Sequence, residues 1–259
     1  YTIRNPDLKP PRYQNWSLGL EQRLPHGLFL RGNFLRKRGH DGFTYVNTLT
    51  ANNPPPPDLV ALYHTTSFDG IFNLVNLRRD VYDSGEITVH QSLGEQYEWM
   101  ASYTRSRALS NAVVTFSIDQ PLSVVNNVGP MPWDAPNRLV SWGYLPTPRK
   151  NWALAYLLDA RTGFPYSVQN EDGGIVGAVN AHRYPNYFSL NLHLERRFRL
   201  RGYRLALRGG FNNITNHQNP TVVNNTIGSP IFLHYFGSEG RHFVFRIRWL
   251  GKEETGQSK

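Results

Sequence analysis

The stretch Arg241-His-Phe-Val-Phe-Arg-Ile-Arg-Trp-Leu250 decides the fold. Successive side chains of a β-strand point to opposite faces, so this stretch divides into an aromatic, apolar face and a charged face. The apolar face holds Phe243, Phe245, Ile247 and Trp249, and the charged face holds His242, Arg246 and Arg248. This pattern predicts a strand whose apolar face meets lipid and whose polar face meets water inside a barrel.

The composition fits such a barrel. The 259 residues include 39% hydrophobic and 18% charged residues, and the mean hydropathy is -0.49. A soluble protein has similar values, and so does a transmembrane barrel, because half of each strand faces a wet lumen. No run approaches the roughly 18 apolar residues of a membrane helix, so any membrane crossing must use strands. Cysteine is absent, which excludes disulfides and thiolate metal sites.

The charge and the histidines restrict the chemistry. A formal net charge of +9 suits nucleic acid, anionic lipid or an anionic ligand. The basic residues lie largely within alternating strands, which argues against nucleic acid as a partner. No two histidines have metal-ligand spacing with a nearby carboxylate, and His90 and Ser92, which share a strand face, lack an orienting acid and an oxyanion hole. We therefore expect no metal, no cofactor and no enzymatic activity.

Alternation and turn residues predict an all-β chain of about nine strands. Short turns near residues 25, 94, 148 and 201 alternate with long connections that are rich in Pro, Gly and Asn. In outer-membrane barrels the short turns are periplasmic and the long loops are external. Parts of the long connections, such as 43–49 and 71–77, are expected to extend strands beyond the membrane. The predicted strands span roughly 14–24, 28–38, 82–92, 97–107, 138–145, 152–158, 188–195, 203–212 and 241–250, and the long connections 39–81, 108–136, 160–186 and 214–240.

Strand directions predict that the barrel is partial. The first strand leads into a short turn and the ninth leaves a long loop, so both run toward the periplasm. A bacterial barrel closes with an even strand count, and an open edge in lipid costs several kcal/mol per unpaired group, as an order of magnitude. We therefore expect residues 1–250 to form the C-terminal portion of a larger antiparallel transmembrane β-barrel, followed by a polar tail at 251–259. The lack of a signal peptide agrees with this expectation.

Four segments carry a family resemblance, and they begin at Asn5-Pro-Asp-Leu-Lys-Pro-Pro-Arg-Tyr, at Tyr97-Glu-Trp-Met-Ala-Ser-Tyr-Thr, at Phe211-Asn-Asn-Ile-Thr-Asn-His and at Gly240-Arg-His-Phe. In their order and spacing they resemble TonB-dependent outer-membrane receptors of the Oar-like subgroup, and the resemblance covers nearly the whole chain. The resemblance implies a barrel of about 22 strands, an N-terminal plug, and uptake energised by the TonB complex through that N-terminal part. Members often end on an aromatic residue that the barrel assembly machinery reads, whereas here the polar tail follows Trp249-Leu250.

Polar residues on the lumen side of the predicted strands are the first group of candidate site residues. In a plugged barrel they would contact the plug or the solute path, and the alternative is that they hydrogen-bond to one another or to water. The candidates are Asn191, His193, Glu195, Arg204, Arg208, Asn212, Arg246 and Arg248.

Two further groups concern the membrane surfaces. Basic residues at the outward ends of strands two and four, namely Arg36, Lys37, Arg38, Arg105 and Arg107, are candidates for lipopolysaccharide phosphates, which favour the fork geometry of arginine. The alternative is ordinary solvated charge at the rim. Aromatic residues near the strand ends are expected to form interfacial girdles. They are Tyr103, Phe188, Phe211 and Phe243 near the outer ends, and Tyr97, Trp99, Tyr203 and Trp249 near the inner ends.

Taken together, the sequence predicts the barrel of a TonB-dependent receptor in the outer membrane of a Gram-negative bacterium. Its external loops would capture an unidentified ligand, and a plug rearrangement driven from the inner membrane would admit it. Its expected partners are outer-membrane lipid and lipopolysaccharide, the TonB complex and the assembly machinery. The alternatives are a passive porin or adhesin-like barrel and a soluble β-sandwich that binds carbohydrate.

Overall fold

The computed structural model describes residues 3, 5–50, 52–115 and 122–252. Its strands, in chain order, are β1 Arg12–Leu24, β2 Leu28–Asn47, β3 Phe72–Leu93, β4 Tyr97–Thr115, β5 Leu122–Pro130, β6 Asn137–Pro146, β7 Trp152–Arg161, β8 Pro165–Tyr166, β9 Val168–Gln169, β10 Ile175–Val176, β11 His182–Arg183, β12 Tyr187–Leu200, β13 Tyr203–Asn212, β14 Val222–Val223, β15 Tyr235–Phe236 and β16 His242–Lys252. A short α-helix, α1, spans Pro57–Tyr63, and a 3-10 turn spans Pro25–Gly27 between β1 and β2.

Ten strands form one antiparallel sheet, in which nine long strands follow the order β1-β2-β3-β4-β6-β7-β12-β13-β16 and β5 pairs with β4 beside this path. The nine long strands coincide with the nine predicted strands, which are therefore confirmed. β1 and β16 lie at the two edges, and each pairs on one side within the described residues. The last strand continues to Lys252, two residues into the predicted tail, and residues 253–259 of that tail lie outside the described part.

The long connections contain more strand than the sequence predicts. β2 and β3 remain paired far beyond the predicted ends, to Asn47↔Phe72, so the connection between them shrinks to residues 48–71. That outcome confirms the expected extension. The connection 108–136 was predicted as a loop, but β4 continues to Thr115 and β5 pairs back onto it. The prediction was wrong here because β5 carries no regular alternation of apolar and polar residues that would mark it as a strand.

The register separates an apolar face from a polar face across the whole sheet. Phe211 lies opposite Phe243 and Leu205 lies opposite Trp249, while Arg208 lies opposite Arg246 on the other face. Large side chains on the apolar face are exposed, among them Leu18 at 75% and Ile247 at 64%. A sandwich would bury such a face beneath a second sheet, and within the described residues no second sheet covers it.

The strand pairing shows that the sheet is sheared. A row of directly opposite residues, one on each successive strand, begins at one end of the strands and finishes at the other. Leu28, at the start of the row, directly follows a short turn, whereas Phe243, at its end, lies beside a long loop. Each step of the row is a pair of directly opposite residues on neighbouring strands. The row runs Leu28, Gln91, Trp99, Gly143, Tyr156, Leu192, Phe211, Phe243.

The short turns keep neighbouring strands in register. β12 and β13 are joined by Arg201 and Gly202, which have φ of 49° and 78°. Two consecutive positive φ angles define the two-residue hairpin turn whose twist matches that of paired strands. The turn between β3 and β4 uses Gly94 at φ 72°. These turns fix the pairing, and therefore which side chains share a face.

The helix α1 occupies the middle of the connection between β2 and β3. It begins at Pro57, the last residue of the run Asn52-Asn-Pro-Pro-Pro-Pro57, because proline is well tolerated in the first turn of a helix. Within the described residues, no helix is long and apolar enough to cross a membrane.

Candidate functional site

The polar face is organised around one carboxylate. Glu195 on β12 is fully buried, with 0% of its side chain exposed. The Tyr144 hydroxyl donates to Glu195 Oε1 at 2.8 Å, and Arg197 Nε donates to the same oxygen at 3.3 Å. A guanidinium nitrogen of Arg248 donates to Oε2. These residues, the Glu195 cluster, join β6, β12 and β16, which are not neighbours in the sheet.

Small residues on the intervening strands make these long contacts possible. β7 separates β6 from β12 and carries Ala153 and Ala155, while β13 separates β12 from β16 and carries Ala206. All three alanines are buried, at 3%, 5% and 0% exposure. Their short side chains leave room for Tyr144 and Arg248 to reach Glu195 across them. The Nε atom of Arg248 is buried and has no hydrogen-bond partner among the described residues.

A second set of polar contacts lies nearer the long loops. Arg208 Nε donates to His193 Nδ1 at 3.2 Å, so that ring nitrogen carries no proton in this arrangement. His193 Nε2 then donates to Asn212 Oδ1 at 3.0 Å, and the Asn212 amide donates to His242 Nε2 at 3.1 Å. These four residues form a directed chain of hydrogen bonds along β12, β13 and β16.

The predicted lumen candidates therefore lie together. Asn191, His193 and Glu195 alternate along β12, and Arg204, Arg208 and Asn212 alternate along β13 on the same polar face, as do Arg246 and Arg248 on β16. Most of them form hydrogen bonds with one another. Tyr144 and Arg197 belong to the same cluster but were missed, because their contacts cross an intervening strand or lie at the strand end.

A cavity of about 420 Å³ opens above this face at the long-loop end. Asn213 forms part of its wall, and its amide donates to the carbonyl oxygens of His217 at 2.9 Å and Glu239 at 3.1 Å. Amides and hydroxyls dominate the lining, which suits a ligand that is recognised through hydrogen bonds. The lining includes Tyr187, Ser189, Asn191, Asn212, Asn219, Thr221, Glu239 and His242.

Two long connections beside the cavity, 162–186 and 213–241, pack against each other and form the loop layer. Its small apolar core holds Tyr166, Val168 and Val223. The hydroxyl groups of Tyr166 and Tyr235 lie 3.2 Å apart, and burial raises the pKa of Tyr166 above its ordinary value. The backbone N–H of Gln169 donates to the carbonyl oxygen of residue 225 at 2.9 Å. The loop layer is thus a folded element of the structure.

Residues 1–178 match the family described as the outer membrane beta barrel domain. The chain belongs to that family. Its ten-stranded sheet is therefore part of an antiparallel β-barrel in the outer membrane of a Gram-negative bacterium, and its apolar face meets lipid. No curated protein sequence matches the chain.

Two solved barrels resemble this outer-membrane barrel. The outer membrane transporter YddB from Escherichia coli has a TM-score of 0.62 at 12% identity, over 94% of this chain and 33% of that one. The ferric-catecholate import receptor Fiu from E. coli K12 has a TM-score of 0.59 at 14% identity, over 95% of this chain and 28% of that one. At these identities the likeness shows the fold alone. The chain spans about a third of the length of these proteins.

The basic candidates on β2 and β4 were expected at the outward strand ends, but they lie in mid-strand because β2 continues to Asn47 and β4 to Thr115. They also divide between the two faces of the sheet. Arg36 lies opposite Asp83, which lies opposite Arg107 on the next strand. Arg38 and Arg105 are two residues away along their strands, so they share the apolar face. Lys37 lies on the polar face. Grouping it with the arginines was wrong, because neighbours on a strand point in opposite directions.

The aromatic candidates of the barrel follow the apolar face by register. Phe211 and Phe243 pack edge to face with ring centroids 5.3 Å apart, and Tyr203 contacts Trp249 at 4.5 Å. Trp99, Tyr103 and Phe188 occupy the same face. Tyr97 differs, since its ring stacks at 5.6 Å on Tyr144 of the Glu195 cluster. Tyr97 therefore supports the polar wall at the short-turn end.

Proposed function

We propose that this barrel is part of a TonB-dependent outer-membrane receptor of the Oar-like subgroup, a transport protein and not an enzyme. It takes up an external ligand that remains to be identified. The proposal agrees with the similar fold of YddB, described as an outer membrane transporter, and of Fiu, described as an import receptor. It also agrees with the sequence resemblance to TonB-dependent receptors.

The main support for the proposal is the preformed cavity beside the loop layer. Its wall is fixed by hydrogen bonds such as those from the Asn219 amide to the carbonyl oxygen of Phe188 at 2.9 Å and from the backbone N–H of Asn219 to Ser238 Oγ at 2.7 Å. A preformed polar site lowers the entropic cost of ordering a ligand on binding. A receptor that captures a dilute solute needs such a site, whereas a passive pore needs only an open path.

In this function the polar face has two tasks. The cavity and the loop layer receive the ligand at the outer surface. Further toward the short-turn end, the Glu195 cluster holds the wall in one arrangement, against which a plug can dock and from which it can move when the TonB complex acts.

Reconstitution separates this function from that of a passive porin. The complete gene product, purified from outer membranes and inserted into liposomes, is expected to block the entry of small neutral sugars, because a plugged receptor has no open path. Sugar entry at rates typical of a porin would contradict the proposal.

Uptake in cells gives the second test. Deletion of the gene and deletion of the TonB system are expected to abolish growth on the same nutrients from a panel of sugars, peptides and metal chelates. A nutrient whose uptake requires this gene but not the TonB system would instead favour the passive porin.

A further inference from the structure

We propose that the apolar face binds the phosphate groups of lipopolysaccharide at an arginine cluster formed by Arg36, Arg38, Arg105 and Arg107. The inference rests on the outer-membrane location of the barrel and does not depend on TonB. All four residues lie on the face that meets lipid, near the middle of β2 and β4. They follow the short-turn end of each strand by about one membrane-spanning length of roughly 9–11 residues, which places them near the outer boundary of the bilayer. A plug inside the barrel cannot reach this face.

The cluster is partly preorganised by one carboxylate. Arg36 Nε lies 3.0 Å from Asp83 Oδ1, and a terminal nitrogen of Arg38 lies 2.9 Å from Asp83 Oδ2. Asp83 thus holds two guanidinium groups side by side. The cluster holds four guanidinium groups, and the Asp83 carboxylate pairs with two of them, so positive charge remains in excess on the lipid side of the barrel.

The other two arginines, Arg105 and Arg107, supply that excess positive charge. Arg105 donates from a terminal nitrogen to Asn137 Oδ1 at 2.9 Å, which fixes the direction of its side chain. Arg107 is exposed and makes no hydrogen bond or ion pair with the described residues. Several donors of a planar guanidinium remain available, and their fork geometry matches phosphate oxygens.

A cavity of about 550 Å³ lies beside the cluster, with Phe34, Arg105 and Arg107 in its lining. Arg183 also lines it, but its charge is neutralised by Asp134, whose carboxylate lies 2.5 Å away. The cavity therefore offers cationic groups together with an apolar wall.

Apolar side chains continue from the cluster toward the membrane interior. Leu18, Phe34 and Ile87 are exposed on the apolar face, at 75%, 45% and 57%. Arginine on a lipid-facing strand is tolerated near the membrane interface and is costly deeper in the bilayer. A phosphorylated lipid in the outer leaflet would place its phosphate groups at the arginines and its hydrocarbon chains on the apolar surface next to them. Free phosphate would use the arginines but not the apolar surface.

The experiment compares two charge reversals in the complete gene product, purified from outer membranes in mild detergent. The test variant carries Arg105→Glu and Arg107→Glu together. The matched control is Lys37→Glu, because Lys37 lies between Arg36 and Arg38 in sequence but on the polar face. Mass spectrometry of the 3-hydroxy fatty acids measures the lipopolysaccharide retained per protein. Heat-modifiable migration in gels confirms that each variant has a folded barrel.

We expect the Lys37→Glu variant to retain the wild-type amount, and the double variant to retain about fivefold less for each arginine removed. Added lipopolysaccharide should bind to the wild-type protein, whereas the same lipid stripped of its phosphates should not. If the double variant fails to fold, the single variant Arg107→Gln replaces it. Unchanged retention, equal binding of the dephosphorylated lipid, or displacement by millimolar inorganic phosphate would each overturn the proposal.

Discussion

The two faces of this barrel wall differ in how their charged side chains are buried and paired. On the polar face, Glu195 is fully buried and receives hydrogen bonds from three side chains. On the apolar face, Asp83 is partly exposed and is outnumbered by arginines. A charge that is enclosed by its partners stabilises the wall, whereas a surplus of charge at the surface remains available to an external group. The same pairing chemistry thus serves stability on one face and recognition on the other.

The largest expected effect comes from Glu195→Gln. The change leaves Arg197 and Arg248 without their counter-charge and replaces charge-assisted hydrogen bonds with weaker ones. We expect the free energy of unfolding to fall by about 2–3 kcal/mol, measured by urea titration in detergent or liposomes. The control is Glu21→Gln, because the carboxylate of Glu21 is 71% exposed beside Arg31. This change should shift the free energy of unfolding by less than about 0.5 kcal/mol. Equal effects of the two changes would contradict the role of the Glu195 cluster.

A steric change tests whether the alanines make the long contacts possible. Ala206→Leu fills the space that Arg248 crosses to reach Glu195, so we expect a loss of about 1–3 kcal/mol in the free energy of unfolding. Ala101→Leu is the matched control, since Ala101 lies on the apolar face and its larger side chain would meet lipid. A double variant with Glu195→Gln should lose less than the sum of the two effects, because both changes break the same contact.

A smaller effect is expected from Tyr144→Phe. The variant keeps the ring that stacks on Tyr97 and removes only the hydroxyl that donates to Glu195. Loss of one hydrogen bond to a charged group costs about 1.5 kcal/mol, and urea titration measures it. If the ring alone holds the cluster, the unfolding midpoint will stay at the wild-type value.

The smallest effect on stability is expected from Asp83→Asn on the apolar face. Exposed ion pairs contribute roughly 0–1 kcal/mol, so the free energy of unfolding should change little. Removal of the carboxylate raises the net positive charge of the cluster, and we expect this gain to outweigh the lost positioning of Arg36 and Arg38, so the amount of co-purified lipopolysaccharide should rise. A loss of stability as large as that of Glu195→Gln would show that the two faces do not differ in this way.

The sequence predicts the strands well because lipid and water impose alternation on every segment that crosses the membrane. β16 and β12 show this most clearly, with apolar residues at every second position. Beyond the membrane that constraint ends. β5 and the two-residue strands of the loop layer carry no periodic signal, so they were predicted as loops.

The candidate site was only partly predictable. Alternation placed His193, Glu195 and Arg248 on one face, but the contact between Glu195 and Tyr144 spans an intervening strand and depends on the pairing register. Lys37 was misplaced although the alternation rule applies to it, because it was grouped with its neighbours by charge alone.

The sheared row from Leu28 to Phe243 has a geometric consequence. Its first member lies next to the periplasmic turns and its last member lies near the external loops, so each line of directly paired residues climbs through the thickness of the membrane. Strands in such a sheet must be tilted, as in closed barrels. A line of directly paired residues therefore joins the periplasmic rim of the wall to its external rim several strands away.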